Sequence, residues 1–223
     1  MPRGVLIVFE GPEGAGKSTQ LRLLADWLGQ RGHAVVAVRE PGGTIVGDQI
    51  RRILLDPSSD IVPRTEALLF MASRAQLVER EIRPALDAGS IVLVDRFFLS
   101  TYAYQGDGRG LPETDLRASN AVATSGLVPD RTLLLTLAPD HGLERATRRG
   151  ERDRMERADL AFHERVSRAF ARFATAEWQR AHPECGPVEL IDADGTESEV
   201  FDRVVIALHA HWPETFPSLS TAE

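Results

Sequence analysis

One cysteine, one lysine and two tyrosines occur among the 223 residues. The single Cys185 excludes an intramolecular disulfide framework, and no Cys/His cluster has zinc-ligand spacing, so neither common staple of a small fold applies. No apolar run reaches membrane-spanning length, and the N-terminus lacks the basic, apolar and small-residue order of a signal peptide, which points to a cytoplasmic protein without membrane partners. A net charge of −7 argues against broad attraction to nucleic acid or to an anionic membrane surface. His209 and His211, two apart, would lie on different faces of a helix and read as a solvated helix end rather than a ligand pair.

What is present is ordinary in bulk and unusual in detail. A hydrophobic fraction of 43% and a charged fraction of 26% suit a soluble globular chain long enough for one sizeable core. Of the 26 basic residues, Lys17 is the only lysine and the rest are arginine. Compositional bias accounts for the arginines, but less well for the exception, because a compact ammonium on a flexible stem differs physically from a planar guanidinium fork.

Apolar runs at Val5 to Phe9, Ala34 to Val38, Ile91 to Val94, Thr132 to Leu137 and Val188 to Ile191 alternate with helical patterns. Five short buried strands so spaced predict an α/β fold, a five-stranded parallel sheet flanked by helices on both faces. Helical stretches are expected over Thr44 to Leu55, Pro63 to Ala88, Ser100 to Gln105 and about Glu113 to Thr124. One domain over residues 1–212 is expected, with 213–223, which carry Pro213, Pro217 and several Ser/Thr, as a flexible tail.

Between the first strand and the first helix lies Gly11-Pro12-Glu13-Gly14-Ala15-Gly16-Lys17-Ser18. This is the G-x-x-x-x-G-K-[ST] pattern in the strand–loop–helix context of a P-loop NTPase fold. Glycines let backbone N–H groups curl around an anion, and the helix that follows adds its positive end. Lys17 is placed to bridge the β- and γ-phosphates and Ser18 to ligate Mg²⁺. A bland glycine turn is the alternative. The loop implies a nucleoside triphosphate and leaves the reaction open, although no Asn-Lys-x-Asp segment for reading guanine is present.

A second anion site is suggested by Asp95-Arg96 at the end of the third strand, where Asp95 would hold Mg²⁺ through water and Arg96 would point at a phosphate. A strand-end salt bridge is the plain alternative. Phe70 and Arg74 stand at i and i+4, an aromatic and a fork on one helix face; the competing reading is a core Phe and a surface Arg. Thr101, Tyr104 and Gln105 repeat the device on a short helix expected to be capped by Ser100. A phosphate acceptor already carries an anionic oxygen, so its chemistry calls for positive charge rather than a base.

After the fourth strand, residues 145–157 carry Arg145, Arg148, Arg149, Arg152, Arg154 and Arg157 interleaved with acids around Gly150. A small arginine-rich lid closing over phosphates is the functional reading, and a solvated, salt-bridged helix junction the bland one.

With these motifs in order, the sequence resembles the thymidylate kinases from Gly4 to about His211. The resemblance rests on Phe9-Glu10-Gly11 through Thr19, Arg39-Glu40-Pro41-Gly42-Gly43-Thr44, Leu69-Phe70 through Leu77, Asp95-Arg96-Phe97, Ser100 through Gly106, and the arginine-rich segment. It implies transfer of the γ-phosphoryl group of Mg·ATP to dTMP, with Gly11 through Thr19 around the ATP phosphates. Phe70 would stack on thymine, Arg74 would bind its O4 edge, and Thr101 and Gln105 would complete the base contacts. Tyr104 would crowd the sugar 2′ position. Arg96 and Arg51 would hold the acceptor phosphate, Glu13 would meet the 3′-hydroxyl, and Glu40 would support the acceptor and Mg²⁺ side. Because the phosphate loop holds no arginine, the chain looks like the bacterial lid-arginine type, with Arg149 or Arg154 as catalytic candidate and Arg145 packing on adenine. The family also implies a homodimer. A kinase for another nucleotide or a deoxynucleoside, and a non-catalytic nucleotide switch, are the rivals.

Overall fold

The computed structural model describes residues 3–137 and 153–217. Within them β1 (Val5–Glu10), β2 (Val35–Arg39), β3 (Ile91–Asp95), β4 (Arg131–Thr136) and β5 (Val188–Asp192) form one parallel sheet in the order β2-β3-β1-β4-β5. Each apolar run expected to be a strand is one. The described helices are α1 (Lys17–Gly29), α2 (Ile45–Leu55), α3 (Pro63–Leu77), α4 (Arg83–Asp87), α5 (Phe98–Thr101), α6 (Glu113–Thr124), α7 (Leu160–Phe173), α8 (Ala176–Ala181) and α9 (Glu197–His209).

The strands read as continuous apolar runs because both faces of the sheet are covered. Leu6, Val8, Val92, Val94 and Leu134 face the larger layer, which includes Leu77 of α3, Leu116 of α6 and Phe170 of α7. Ile7, Phe9, Leu93, Leu133 and Leu135 face the smaller one, where Leu24 and Leu28 of α1 meet Val204 and Leu208 of α9. Connections leaving β1 and β3 run in opposite directions, which opens a crevice at the C-terminal ends of these neighbouring strands, where ligands collect in such sheets.

Four expectations need correction. The stretch 63–88 is continuous but not uniform: α3 widens into a π turn at Val78–Ile82 before α4 begins. Pro84 supplies the reason, since it has no N–H to give and its ring crowds the carbonyl four residues back, a conflict that a wider turn relieves. Ser100 is not a cap, because α5 starts at Phe98 with Phe97 before it, and the chain then opens into a second π segment at Tyr102–Gly108. The supposed tail is packed as far as Phe216, which is 0% exposed and stacked on Trp27 at 6.4 Å between ring centroids. His209 Nδ1 lies 2.7 Å from the Phe216 carbonyl oxygen and His211 Nε2 lies 3.0 Å from Glu189, so this helix end is anchored rather than merely solvated. Residues 218–223 lie outside the described residues. No described helix is long and apolar enough to cross a membrane.

Candidate active site

The phosphate loop follows β1 directly. A Cβ on Gly11 would run into the carbonyl oxygen of Leu135, and Gly16, the residue before α1, takes a left-handed conformation at φ 86°, so glycine is required at both positions. Lys17 is buried and donates to the Pro12 carbonyl at 2.7 Å across the loop. Burial pulls the Lys17 ammonium down from its ordinary 10.5 to about 7, and the Arg96 guanidinium adds to the effect against the pull of Asp95, Glu10 and Glu13. An anion in the loop would reverse that shift, because it favours the charged form. Ser18 Oγ donates directly to Asp95 Oδ2, which joins the loop to the end of β3.

Arg96 sits just past β3 with a positive φ of 71°, uncommon for a residue with a side chain. This conformation turns its guanidinium back over the crevice, where Nη1 donates to Ser100 Oγ at 3.1 Å and to the Gly11 carbonyl at 3.4 Å, and the guanidinium carbon lies 5.1 Å from the Tyr104 ring centre. Glu10, at the end of β1, holds the segment in place. Its carboxylate accepts from the backbone N–H groups of Phe97 at 2.7 Å and Ser100 at 3.0 Å, and from Ser100 Oγ at 2.7 Å. The orphan donors at the start of α5 are thus met by a strand carboxylate rather than a local cap.

Arg74 reverses the plain alternative of a core Phe and a surface Arg: the arginine is 2% exposed and Phe70 only partly buried. All five guanidinium N–H groups have protein acceptors. Nε donates to Glu40 Oε2 at 2.7 Å, Nη2 to the same oxygen and to the Phe97 carbonyl at 2.8 Å, and Nη1 to Thr101 Oγ1 at 3.0 Å and to Asn120 Oδ1. Glu40 Oε1 and Asn120 Nδ2 are buried without a partner. Burial raises the Glu40 carboxyl above its ordinary value even against the neighbouring Arg74. Thr101 accepts from Arg74, which leaves its own O–H free to donate.

One cavity of about 320 Å³ brings these groups together. Its loop side is formed by Glu13, Gly14, Gly16, Lys17 and Ser18, and its far side by Phe70, Arg74, Thr101, Tyr104 and Gln105. Between them stand Glu40, Arg51, Asp95 and Arg96. Arg51 donates to the Pro41 carbonyl at 3.0 Å; burial, then the neighbouring Arg39, lowers its pKa, a sign of like charges held together. Gly11 and Pro12 reach the site through their carbonyls, Ala15 is buried against the smaller layer and Thr19 is partly buried on α1.

Arg154 is the departure. Its guanidinium pairs with the buried Glu66 at 2.7 Å and donates through Nε to the Leu54 carbonyl at 2.7 Å, and it does not line the cavity. A fully buried carboxylate is a stronger attractor than solvent. Arg145, Arg148, Arg149 and Arg152 lie outside the described residues.

A family model described as "Thymidylate kinase" matches residues 9–184. A thymidylate kinase of Deinococcus radiodurans is 53% identical over 180 residues, covering 81% of this chain and 87% of that protein. One from an Exiguobacterium species is 48% identical over 203 residues, covering 91% and 92%, and one from Desulfosudis oleivorans is 46% identical over 212 residues, covering 92% and 96%. The chain belongs to the thymidylate kinases.

Glu66 and Asn120, which hold Gln105 and Arg74, are not among the residues expected from the sequence, and Glu10 and Arg39 were expected only as members of matched segments, with no role assigned. Glu10 carried a signal, an acid ending an otherwise continuous apolar strand. Glu66 and Asn120 carried none, because their partners are tens of residues away and nothing at helical spacing marks them. Among the described residues no cluster of three or more His, Cys, Asp or Glu could hold a metal by itself. The two oxygen groups of Ser18 and Asp95 nevertheless form the sparse, hard donor set that Mg²⁺ takes when phosphates and water supply the rest.

Proposed function

We infer that this kinase transfers the γ-phosphoryl group of ATP to dTMP, giving dTDP and ADP. What carries the reading is one continuous cavity with a lysine-bearing phosphate loop at one side, an aromatic and polar pocket at the other, and Arg51 and Arg96 between them.

In that arrangement the loop N–H groups and Lys17 hold the donor phosphates, while Arg96 and Arg51 hold the acceptor phosphate in line with them. Phe70 stacks on the base, Thr101 and Gln105 meet its polar edge, and Tyr104 crowds the sugar 2′ position. Arg74, with every N–H already given, meets a base oxygen only by sharing a donor, so its larger part is to orient Thr101 and Glu40. Glu13 meets the 3′-hydroxyl. Mg²⁺ held by Ser18 directly and by Asp95 through water would offset charge on the transferring group. The acceptor oxygen is anionic already, so no side chain has to remove a proton.

The absence of an arginine from the phosphate loop supports the lid-arginine type, with Arg149 as the catalytic candidate now that Arg154 has another partner. Ile53, Leu68 and Val122, large apolar side chains exposed on α2, α3 and α6, support a homodimer packed through helices. A cytoplasmic location is proposed on the same reading.

The decisive experiment is a phosphorylation assay with dTMP, thymidine and the other deoxynucleoside monophosphates at equal concentration. The expected result is ATP-dependent formation of dTDP with little transfer to the rest. A preference for thymidine, or tight ATP retention without transfer, would replace this reading with one of its rivals.

A further inference from the structure

Gln105 reaches the cavity with its amide already oriented. Its Nε2 donates to Glu66 Oε1 at 2.9 Å, and among the described residues this is the only hydrogen bond its side chain makes. The orientation follows from chemistry: a carboxylate oxygen can only accept, so the amide must present N–H to Glu66 and its carbonyl oxygen must face the other way.

Glu66 has little freedom to be anything but a carboxylate. It is 0% exposed on α3, where Arg109 donates to it through Nε at 3.2 Å and Nη2 at 3.1 Å and Arg154 pairs with it at 2.7 Å. Burial alone would push its carboxyl up, and the bonds from Arg109, Gln105 and Arg154 outweigh that and hold it below the ordinary range. Arg109 in turn lies 4.5 Å from the Phe162 ring centre and Arg154 is fixed to the end of α2, so the carboxylate is held from three elements at once.

Resting on the proposed dTMP activity, we propose that Glu66 is a positioning residue for base selection. It locks Gln105 with Oε1 toward the acceptor base, so the site offers an acceptor that matches the N3–H of thymine and opposes a base whose N3 is itself an acceptor. Two lone pairs facing each other in a water-poor pocket are costly, and a buried donor or acceptor left unmatched loses affinity outright. Arg154 extends the device to the chain leaving the arginine-rich segment, since it closes the side of Glu66 that Gln105 and Arg109 leave open.

Glu66→Gln tests this, because the amide has the same shape but can donate to Gln105, which frees the Gln105 amide to flip. The readout is kcat/KM for dTMP divided by kcat/KM for dCMP, with KM for ATP measured alongside. The expected result is a fall of this ratio by about tenfold, carried by the monophosphate KM, with KM for ATP unaltered. In a Gln105→Ala background the same Glu66→Gln change should leave the ratio where Gln105→Ala put it. A ratio that stays at the wild-type value, or an equal loss on both acceptors, would show that Glu66 only supports the fold. A second arm needs no substitution: the 3-deaza analogue of dTMP, with C–H in place of N3–H, should bind wild-type enzyme about tenfold more weakly than dTMP. Equal binding of the two would overturn the acceptor role of Gln105. Failure of wild-type enzyme to phosphorylate dTMP at all would instead remove the reading on which the proposal rests.

Discussion

Arg74 gives two of its N–H groups to the single oxygen Glu40 Oε2, and both side chains are within 3% of complete burial. A buried ion pair is dangerous to break from one side, because the survivor keeps its desolvation cost without its partner. Glu40→Ala should destabilise the protein by about 3–5 kcal/mol in denaturant unfolding and raise KM for dTMP through misplaced Thr101. The double change Glu40→Leu with Arg74→Met should cost less than the sum of the single changes; strict additivity would show that the two side chains act independently.

Lys17 makes nucleotide binding depend on pH. Its folded-state value of about 7 lies below the ordinary 10.5, so between these limits the unfolded chain binds more protons and folding stability contributed by this group rises with pH. Binding acts in the opposite sense, since phosphates restore the proton. ATP should bind more weakly as pH climbs from about 7 to 9, with proton uptake that grows over the same range. Calorimetry in two buffers of different ionisation enthalpy measures the uptake directly, and Lys17→Ala should abolish it along with transfer.

The contact between Ser18 Oγ and Asp95 joins the two groups assigned to the metal side. Ser18→Ala and Asp95→Asn should each raise the Mg²⁺ concentration needed for half-maximal rate, the second more strongly because it removes a charge. A Mg²⁺ dependence identical to wild type in Asp95→Asn would remove that residue from the site.

Phe216 fills the far side of the smaller layer, between Trp27 and Trp212. Phe216→Ala should cost about 3–5 kcal/mol of stability and leave KM for both substrates unaltered, because Phe216 does not line the cavity. Shifted substrate constants at a temperature where the variant is fully folded would contradict this.

The strands and the phosphate loop were legible because each is a local pattern: continuous apolar runs, and a fixed spacing of glycines before a helix. Phe70, Arg74, Thr101, Tyr104 and Gln105 were legible as faces for the same reason. The burial of Arg74 was not, since its acceptors come from positions 40, 97, 101 and 120 and only the closed fold brings them together. Nor was the turning of Arg154 toward Glu66, because an arginine within a charged run looks the same whether it faces phosphate or a buried acid 88 positions earlier. The packing of Phe216 was hidden by its neighbours, prolines and hydroxyl residues that resemble a loose end.

Glu10 and Asp95 close adjacent strands, with Phe9 opposite Asp95 in the ladder. The backbone points from which the donor loop leaves β1 and the arginine segment leaves β3 are therefore one interstrand step apart, about 4.8 Å, a length set by main-chain hydrogen bonding and by no side chain. Core substitutions can loosen the protein or lower its melting point, but they leave that gauge unaltered. A variant in which both anions still bind and transfer is nonetheless lost should accordingly be sought among the groups that aim the phosphates, not among the residues that pack the sheet.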